Sequence, residues 1–272
     1  MTETPAASIE ARRRIKTDQP HTARIWNYWL GGKDNYAVDQ AAGDQIRQLH
    51  PGIGDYARAD RLLLGRAVRH LAGECGIRQF LDIGTGLPTA DNTHEVAQRV
   101  APESRVVYVD NDPIVLVHAK ALLTSTPQGR TAYLDEDLRN VDAVLEQAAQ
   151  TLDFDQPVAL MLLGVVIFIE DDEDAYGIVR RLMDALPTGS HLVLTHTITR
   201  SDMPDVDAAV AFWNEHGTPK LTQRTPAAVT RFFDGLELLD PGVVSANRWR
   251  PDDPQADLPA EVAMFGGVGR KP

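Results

Sequence analysis

The chain contains one cysteine, Cys75, in 272 residues. No disulfide can form within it, and a reducing compartment, the cytoplasm, is the expected setting. No apolar run approaches the roughly 18 residues that a bilayer-spanning helix needs. The triplet Arg12 to Arg14 is not followed by an apolar segment either, so neither a membrane anchor nor a secretory signal is expected. Positive charge is scarce: 27 Lys and Arg against 39 Asp and Glu leave a formal net charge of −12. That balance disfavours a phosphate-backbone partner, and nucleic acid is not expected to bind. Eight histidines are present, but none stands in a His-x-His or His-Glu-x-x-His pattern, so no metal centre is expected. The Asp-x-Asp pairs at Asp110/Asp112 and Asp135/Asp137 offer oxygen ligands for Mg²⁺, although loop acids more often serve as caps. Cys75 has no cationic neighbour in sequence to activate it as a nucleophile.

What is present is a globular composition, 43% hydrophobic and 24% charged, sufficient for a full core. The chain is organised around residues 79–89. The apolar run Gln79 to Ile83 carries Asp82, and Gly84-Thr85-Gly86 follows at once. A second β-branched run, Arg105 to Asp110, also stops on an acid. The interval between Gly86 and Asp110 accommodates a turn, one helix and a return strand. This is a βαβ unit whose second strand ends in a carboxylate, the form of a nucleoside-binding crevice. The glycines let backbone approach a ligand, and Asp110 can accept both ribose hydroxyls.

The third glycine of a dinucleotide fingerprint is missing, since position 88 is Pro and position 89 is Thr. A pyrophosphate against the helix N-terminus is also poorly matched to an acid beside the turn. Asp82 suits instead a ligand bearing an ammonium and a sulfonium, which is S-adenosylmethionine. An NAD(P)-dependent oxidoreductase is the weaker alternative.

Around this unit the chain reads as a charged arm at 1–19, a mostly helical cap at 20–78, and a strand–helix alternation from 79 to 272 that forms one structural unit with the cap. In the cap, helices are expected at about 22–31, 36–49 and 55–74. The last carries an apolar stripe at Leu62, Leu63, Ala67, Val68 and Leu71. The stretch from His21 to Tyr36 is dense in aromatic, amide and glycine residues, and fits either a docked helix or a lid over a bound nucleoside. Strands are expected at 79–83, 105–109, 130–134, 157–163 and 191–196, with helices between them. This is a doubly wound, mostly parallel α/β sheet. Helices near 203–216 and 226–234 and strand-like segments at 236–239 and 262–266 complete the chain.

In such a sheet, ligands lie beyond the carboxyl ends of the strands. The candidate cofactor residues are therefore Asp82, Gly84, Thr85 and Gly86 after the first strand and Asp110 and Asn111 after the second. Asp137 and Leu138 follow the third, with Asp137 facing an adenine amine and Leu138 its ring. Gly164 follows the fourth. A base is needed only if an acceptor must lose a proton; His196, His21 and Tyr28 are the candidates, and no catalytic residue is assigned. The acidic run Asp171 to Asp174 sits where a helix start favours negative charge.

With these residues in view, the chain resembles class I S-adenosylmethionine-dependent methyltransferases, and in particular the actinobacterial S-adenosyl methyltransferase family first catalogued as DUF574. The resemblance is carried by His21 to Tyr36, by Phe80-Leu-Asp-Ile-Gly-Thr-Gly86 and by Val109-Asp-Asn-Asp-Pro113. It implies a Rossmann-like seven-stranded sheet ending in a reversed hairpin, beneath an N-terminal helical cap. It further implies S-adenosyl-L-methionine as cofactor. Asp82, Gly84 and Gly86 would face the methionine, Asp110 the ribose, and Asp137 with Leu138 the adenine. The resemblance supplies no acceptor; the charge favours a small molecule over nucleic acid. A non-catalytic binder of the cofactor or its demethylated product, acting as a regulator, is the alternative within the same fold.

Overall fold

The computed structural model describes residues 16–122, 124–253 and 260–272. Arg12 to Arg14 and most of the arm at 1–19 lie outside the described residues. Three helices open the fold: α1 (Thr22–Trp29), α2 (Ala37–Leu49) and α3 (Ile53–Gly73). Strand β1 (Gln79–Ile83) follows, then α4 (Thr93–Val100), β2 (Arg105–Asp110), α5 (Pro113–Leu122), β3 (Arg130–Asp135), α6 (Val141–Ala148) and β4 (Ala159–Leu163). A 3-10 turn at Val166–Phe168 leads to α7 (Asp172–Asp184), β5 (His191–Thr197), α8 (Pro204–His216) and α9 (Pro226–Thr230). The short strands β6 (Glu237–Leu238) and β7 (Val244–Ser245) precede the closing strand β8 (Met264–Arg270).

The strand order is β3-β2-β1-β4-β5-β8-β6, with β7 paired to β8. Strands β1 to β5 are parallel, and β8 enters antiparallel beside β5, from His191 opposite Arg270 to Thr197 opposite Met264. This is the Rossmann-like arrangement with a reversed final strand. The sheet has eight strands rather than the expected seven. The extra one is the two-residue β7, too short to leave a period-2 pattern in the sequence. All five residues of β1 and all seven of β5 are buried, as expected of strands covered on both faces. Strand order reverses between β1 and β4, so the crevice of this sheet lies beyond their carboxyl ends.

Local signals account for several helix boundaries. The Asp171 side chain accepts from Asp174 N at 2.9 Å, and Asp172, Glu173 and Asp174 occupy the first turn of α7. Thr225 caps α9 through Ala228 N, with Pro226 at the first helical position. The stripe on α3 differs from expectation at Leu62, which is 59% exposed. The inward positions are Tyr56, Asp60, Leu63, Leu64, Ala67, Val68 and Leu71. At about 100° per residue, position 62 stands opposite 60 and 64.

The helices preceding the sheet share its core, for Ile25, Trp29, Leu63 and Leu71 belong to the apolar cluster that contains Phe80 and Leu160. Polar bonds fix the cap's geometry. Asp39, fully buried, accepts from Arg24 Nε at 2.8 Å, from His21 N at 2.9 Å and from Tyr36 N at 2.8 Å. One carboxylate on α2 thereby holds the start of α1 and its own helix start together. At the other end, Arg66 of α3 donates to the carbonyls of Trp249 and Ala246 at 2.8 and 2.6 Å. Replacing Asp39 by Ala strands the Arg24 guanidinium, and breaking a buried pair in this way costs about 3–5 kcal/mol. Urea denaturation of Asp39→Ala is expected to show a midpoint shift of that size; a change below about 1 kcal/mol would contradict the role given to this carboxylate.

Candidate functional site

A cavity of about 400 Å³ opens over the carboxyl ends of β1, β2 and β4, within the size range of small-ligand sites. Its floor is the bend after β1. Gly84 has φ of +76° and Gly86 +63°, in the region that disfavours any side chain. A Cβ on Gly84 would also lie 2.3 Å from Val165 Cγ2. Gly84 N donates to Val109 O at 2.8 Å and Gly86 N to Asp110 Oδ2 at 2.9 Å. The bend is thus tied to β2 and presents bare backbone to the cavity. Past Pro88, Thr89 N donates to Asn92 Oδ1 at 3.1 Å. Asn92 N in turn donates to Glu95 Oε2 at 2.8 Å, a capping box that starts α4.

Five acidic residues line this cavity, Asp60, Asp82, Asp110, Glu136 and Asp137, and burial raises the carboxyls of three of them, on α3, β1 and β2. Asp82 is 5% exposed and accepts from Thr93 Oγ1 at 2.6 Å. Burial pushes its carboxyl up to about 6, against the pull of that bond and of the Arg61 charge. Asp110 is likewise raised to about 6 by burial, while backbone N–H groups of Asp112 and Gly86 act in the opposite direction. Asp60, 6% exposed, reaches about 6 for the same reason. Its Oδ1 accepts from Thr195 Oγ1 at 2.6 Å, and Thr195 Oγ1 accepts from Gly164 N at 2.9 Å. That relay from α3 through β5 fixes the tip of β4. Each of these acids is kept from water without a full countercharge, an environment that a cationic ligand would relieve.

All nine residues singled out as cofactor candidates line the cavity: Asp82, Gly84, Thr85, Gly86, Asp110, Asn111, Asp137, Leu138 and Gly164. Asp137 is already engaged, accepting from Asn111 Nδ2 at 3.0 Å and from Arg139 N at 2.8 Å. Helix α1 closes one side, with His21, Trp26 and Asn27 on the wall. His21 Nδ1 lies 2.9 Å from Asp112 Oδ2, joining α1 to the tip of β2.

The candidate bases separate in the structure. His21 is on the wall. His196 is fully buried and does not border the cavity: Nδ1 meets Thr197 O at 2.8 Å and Nε2 meets Arg224 Nη1 at 2.8 Å. Burial, with Arg224 adding its charge, pushes this imidazole down to about 3. Both nitrogens are committed, so His196 is a structural residue of the sheet rather than a base. Tyr28 points away from the cavity and donates to Asp44 Oδ1 at 2.7 Å. Residues not anticipated are Asp60 and Arg61 of α3, both on the wall. The available signal was an acid falling on the buried stripe of an amphipathic helix. Among the described residues no cluster of three His, Cys, Asp or Glu assembles in metal-binding geometry.

Comparison with known proteins is consistent along the whole chain. Residues 8–272 match the family model described as S-adenosyl methyltransferase. The crystal structure of a DUF574 family protein from Streptomyces avermitilis is 47% identical, covers 95% of this chain and 100% of its own, and superposes with a TM-score of 0.91. A Thermobifida fusca protein assigned to the methyltransferases is 40% identical over 93% of this chain and 95% of its own, with a TM-score of 0.84. Among curated proteins, the carboxy-S-adenosyl-L-methionine synthase of Chromohalobacter salexigens is 24% identical over 204 residues, 73% of this chain and 68% of that protein.

The buried carboxylates generate a stability test. A carboxyl raised in the folded state favours folding when protonated, and this contribution is lost as pH rises from the unfolded value near 4 through about 6. Asp82→Asn removes the charge and keeps an acceptor for Thr93. The variant is expected to be more stable than the parent by about 1–3 kcal/mol at pH 7.5, with the gain vanishing below pH 4. Thermal unfolding across that range measures it, and a variant less stable at pH 7.5 would contradict the account of this burial.

Proposed function

Because the chain belongs to the S-adenosyl methyltransferase family and is an S-adenosylmethionine-dependent methyltransferase, we propose that the cavity over β1, β2 and β4 holds the cofactor, and that a small-molecule acceptor meets it from the side of the N-terminal helices. The observation that carries this reading is the Gly84–Gly86 bend with buried Asp82 on one side and half-buried Asp110 on the other, both carboxyls raised by desolvation. In this reading residues 20–78 cap a cofactor-binding core at 79–272, and cap and core act as one unit.

The residues fit the ligand part by part. Asp82 accepts from the ammonium of the methionine moiety, and the Arg61 guanidinium on the same wall pairs with its carboxylate. The backbone of Gly84, Thr85 and Gly86 lies against the chain between them. Asp110 and Asn111 take the ribose hydroxyls, since the Asp110 oxygens keep acceptor capacity beyond the Gly86 and Asp112 bonds. Leu138 packs on the adenine, and Asp137 shares its carboxylate between Arg139, Asn111 and the exocyclic amine. Gly164, held by Thr195, gives an open approach at the reactive end.

The cofactor supplies a methyl group on a sulfonium, ready for in-line displacement. The chain's task is then alignment and exclusion of water, which can account for most of the rate. Trp26 and Asn27 of α1 cover the cavity, and the Asp39 bonds hold that helix in place. An oxidoreductase reading is not favoured, because carboxylates rather than an open helix N-terminus face the ligand at the bend. Nor does any feature favour a non-catalytic regulator. No helix of the described residues is long and apolar enough to cross a membrane. Action in the cytoplasm of an actinobacterium, on a small acceptor, belongs to the same reading. It is supported by the single cysteine, the charge of −12 and the Streptomyces and Thermobifida sources of the two similar crystal structures.

Isothermal titration with S-adenosylmethionine tests it. The parent is expected to bind at micromolar concentration, Asp82→Asn about 10- to 100-fold more weakly, as befits a lost hydrogen bond to a charged group. A bound ammonium favours the ionised form of Asp82, so affinity should rise between pH 5 and 7 and then level. No heat from folded protein at high micromolar ligand would remove the assignment.

A further inference from the structure

Trp26 lines a second, smaller cavity as well, of about 60 Å³. This cavity lies over the carboxyl ends of β4 and β5, where Phe168 follows the first and Thr197 ends the second. Its walls are aromatic and aliphatic, and three of their polar tips are satisfied elsewhere. Tyr56 OH bonds Thr197 Oγ1 at 2.6 Å, Trp29 Nε1 donates to Gly43 O at 3.2 Å, and Trp213 Nε1 donates to Pro219 O at 2.8 Å. His50 differs in having a buried polar atom without a partner. It is 8% exposed, lines the cavity and has no partner for Nε2. Its Nδ1 lies 2.5 Å from Asp205 Oδ2, at the start of α8.

That pairing fixes the ring. With Nδ1–H directed at a carboxylate, Nε2 carries the lone pair and is a hydrogen-bond acceptor. A buried acceptor without a donor, in an otherwise apolar compartment, calls for a ligand that brings one. The position beside the cofactor crevice, with Thr22, Trp26 and Phe168 bordering both, is where a methyl acceptor would stand.

We propose that this cavity is the acceptor compartment, that its occupant is a small phenol, and that His50 Nε2 takes the phenolic proton. The proposal rests on the reading of the larger cavity as the cofactor site. Aromatic walls with one acceptor match a planar ring with one donor. A cationic amine would be buried without a free carboxylate, because Asp205 is engaged by His50. An aliphatic alcohol is too weak an acid for an imidazole, whereas a phenol, near 10, is within its reach. The 60 Å³ present is room for about two waters and not for a ring. Trp26 therefore turns aside as the ring enters, and the same movement joins the compartment to the crevice. In the transfer, the hydroxyl proton passes to Nε2 and the oxygen pair forms the new O–C bond. The C–S bond breaks at the same time, sulfur keeps its pair as a neutral thioether, and Asp205 balances the imidazolium.

The test uses the full chain with p-cresol as the acceptor probe and toluene as its hydroxyl-free counterpart. S-adenosylhomocysteine is titrated first, and p-cresol and toluene are then titrated into the loaded protein. Expected are binding of p-cresol at least tenfold tighter than toluene and movement of the His50 Nε2 resonance in ¹⁵N NMR. With S-adenosylmethionine, 4-methylanisole should appear by mass spectrometry. His50→Phe should bring the two ligands within twofold of each other, leave S-adenosylhomocysteine affinity within twofold of the parent, and lower methyl ether formation at least a hundredfold. Asp205→Asn, a second variant that keeps the base, should lower kcat about tenfold with KM for p-cresol within threefold. Equal affinity for p-cresol and toluene, an unmoved Nε2 resonance, or no methyl ether from bound p-cresol overturns the proposal and leaves the cofactor site standing. Failure of S-adenosylhomocysteine to bind overturns both.

Discussion

Everything at the carboxyl edge of the sheet depends on carboxylates held out of water. Asp82 lies one residue before the end of β1 and is buried, half-buried Asp110 ends the neighbouring parallel strand β2, and Asp60 reaches the same cavity from a helix across the crevice. Hydroxyls and backbone N–H groups serve them, but those bonds do not offset the desolvation, and all three sit near 6. Such an arrangement lowers the stability of the empty protein and raises its affinity for a cation. The same dipoles that orient the acids also shape the bend, because Gly86 N is both a cavity-lining group and the donor to Asp110. Electrostatics and backbone geometry are therefore one constraint at this site.

The cap is the second half of that constraint. Low polarity at the crevice requires a cover, and α1 provides it only if its position is fixed. Asp39 collects the N–H of His21, the guanidinium of Arg24 and the N–H of Tyr36, so the helix carrying Trp26 is tied to α2 as well as packed on the core it shares with the sheet. His21 then touches Asp112 at the tip of β2. The cap is anchored on one side by a buried ion pair. On the other it meets the crevice rim through a partly exposed histidine, whose bond competes with water and is the weaker tie.

How much of this was legible in the amino-acid sequence follows from the range of each signal. The bend and its flanking acids were readable because strand, Gly-x-Gly and terminal carboxylate are contiguous, and their spacing to Asp110 is that of one βαβ unit. Asp137, Leu138 and Gly164 followed from strand ends alone. Asp60 was not readable from local pattern: a single acid within an amphipathic helix passes for a surface residue until the phase of the stripe is known. Leu62 shows the converse, an apolar residue assigned inward that faces solvent. His196 stood at a strand end like the others, yet the reversed strand β8 and Arg224 enclose it. Burial decided by partners far along the chain leaves no mark on local sequence.

His50 and Asp205 make the same point on the acceptor side, being 155 residues apart and 2.5 Å from contact to contact. Their meeting depends on α2 packing against α8, and so on the Asp39 bonds that set α2 against α1. Thr22, Trp26 and Phe168 border both compartments. In-line displacement needs acceptor and methyl group brought together, and on the proposed assignment the residues between them come from α1 and from the 3-10 turn after β4. In the same assignment the carboxylate-lined chamber takes the cationic cofactor and the aromatic one an uncharged ring.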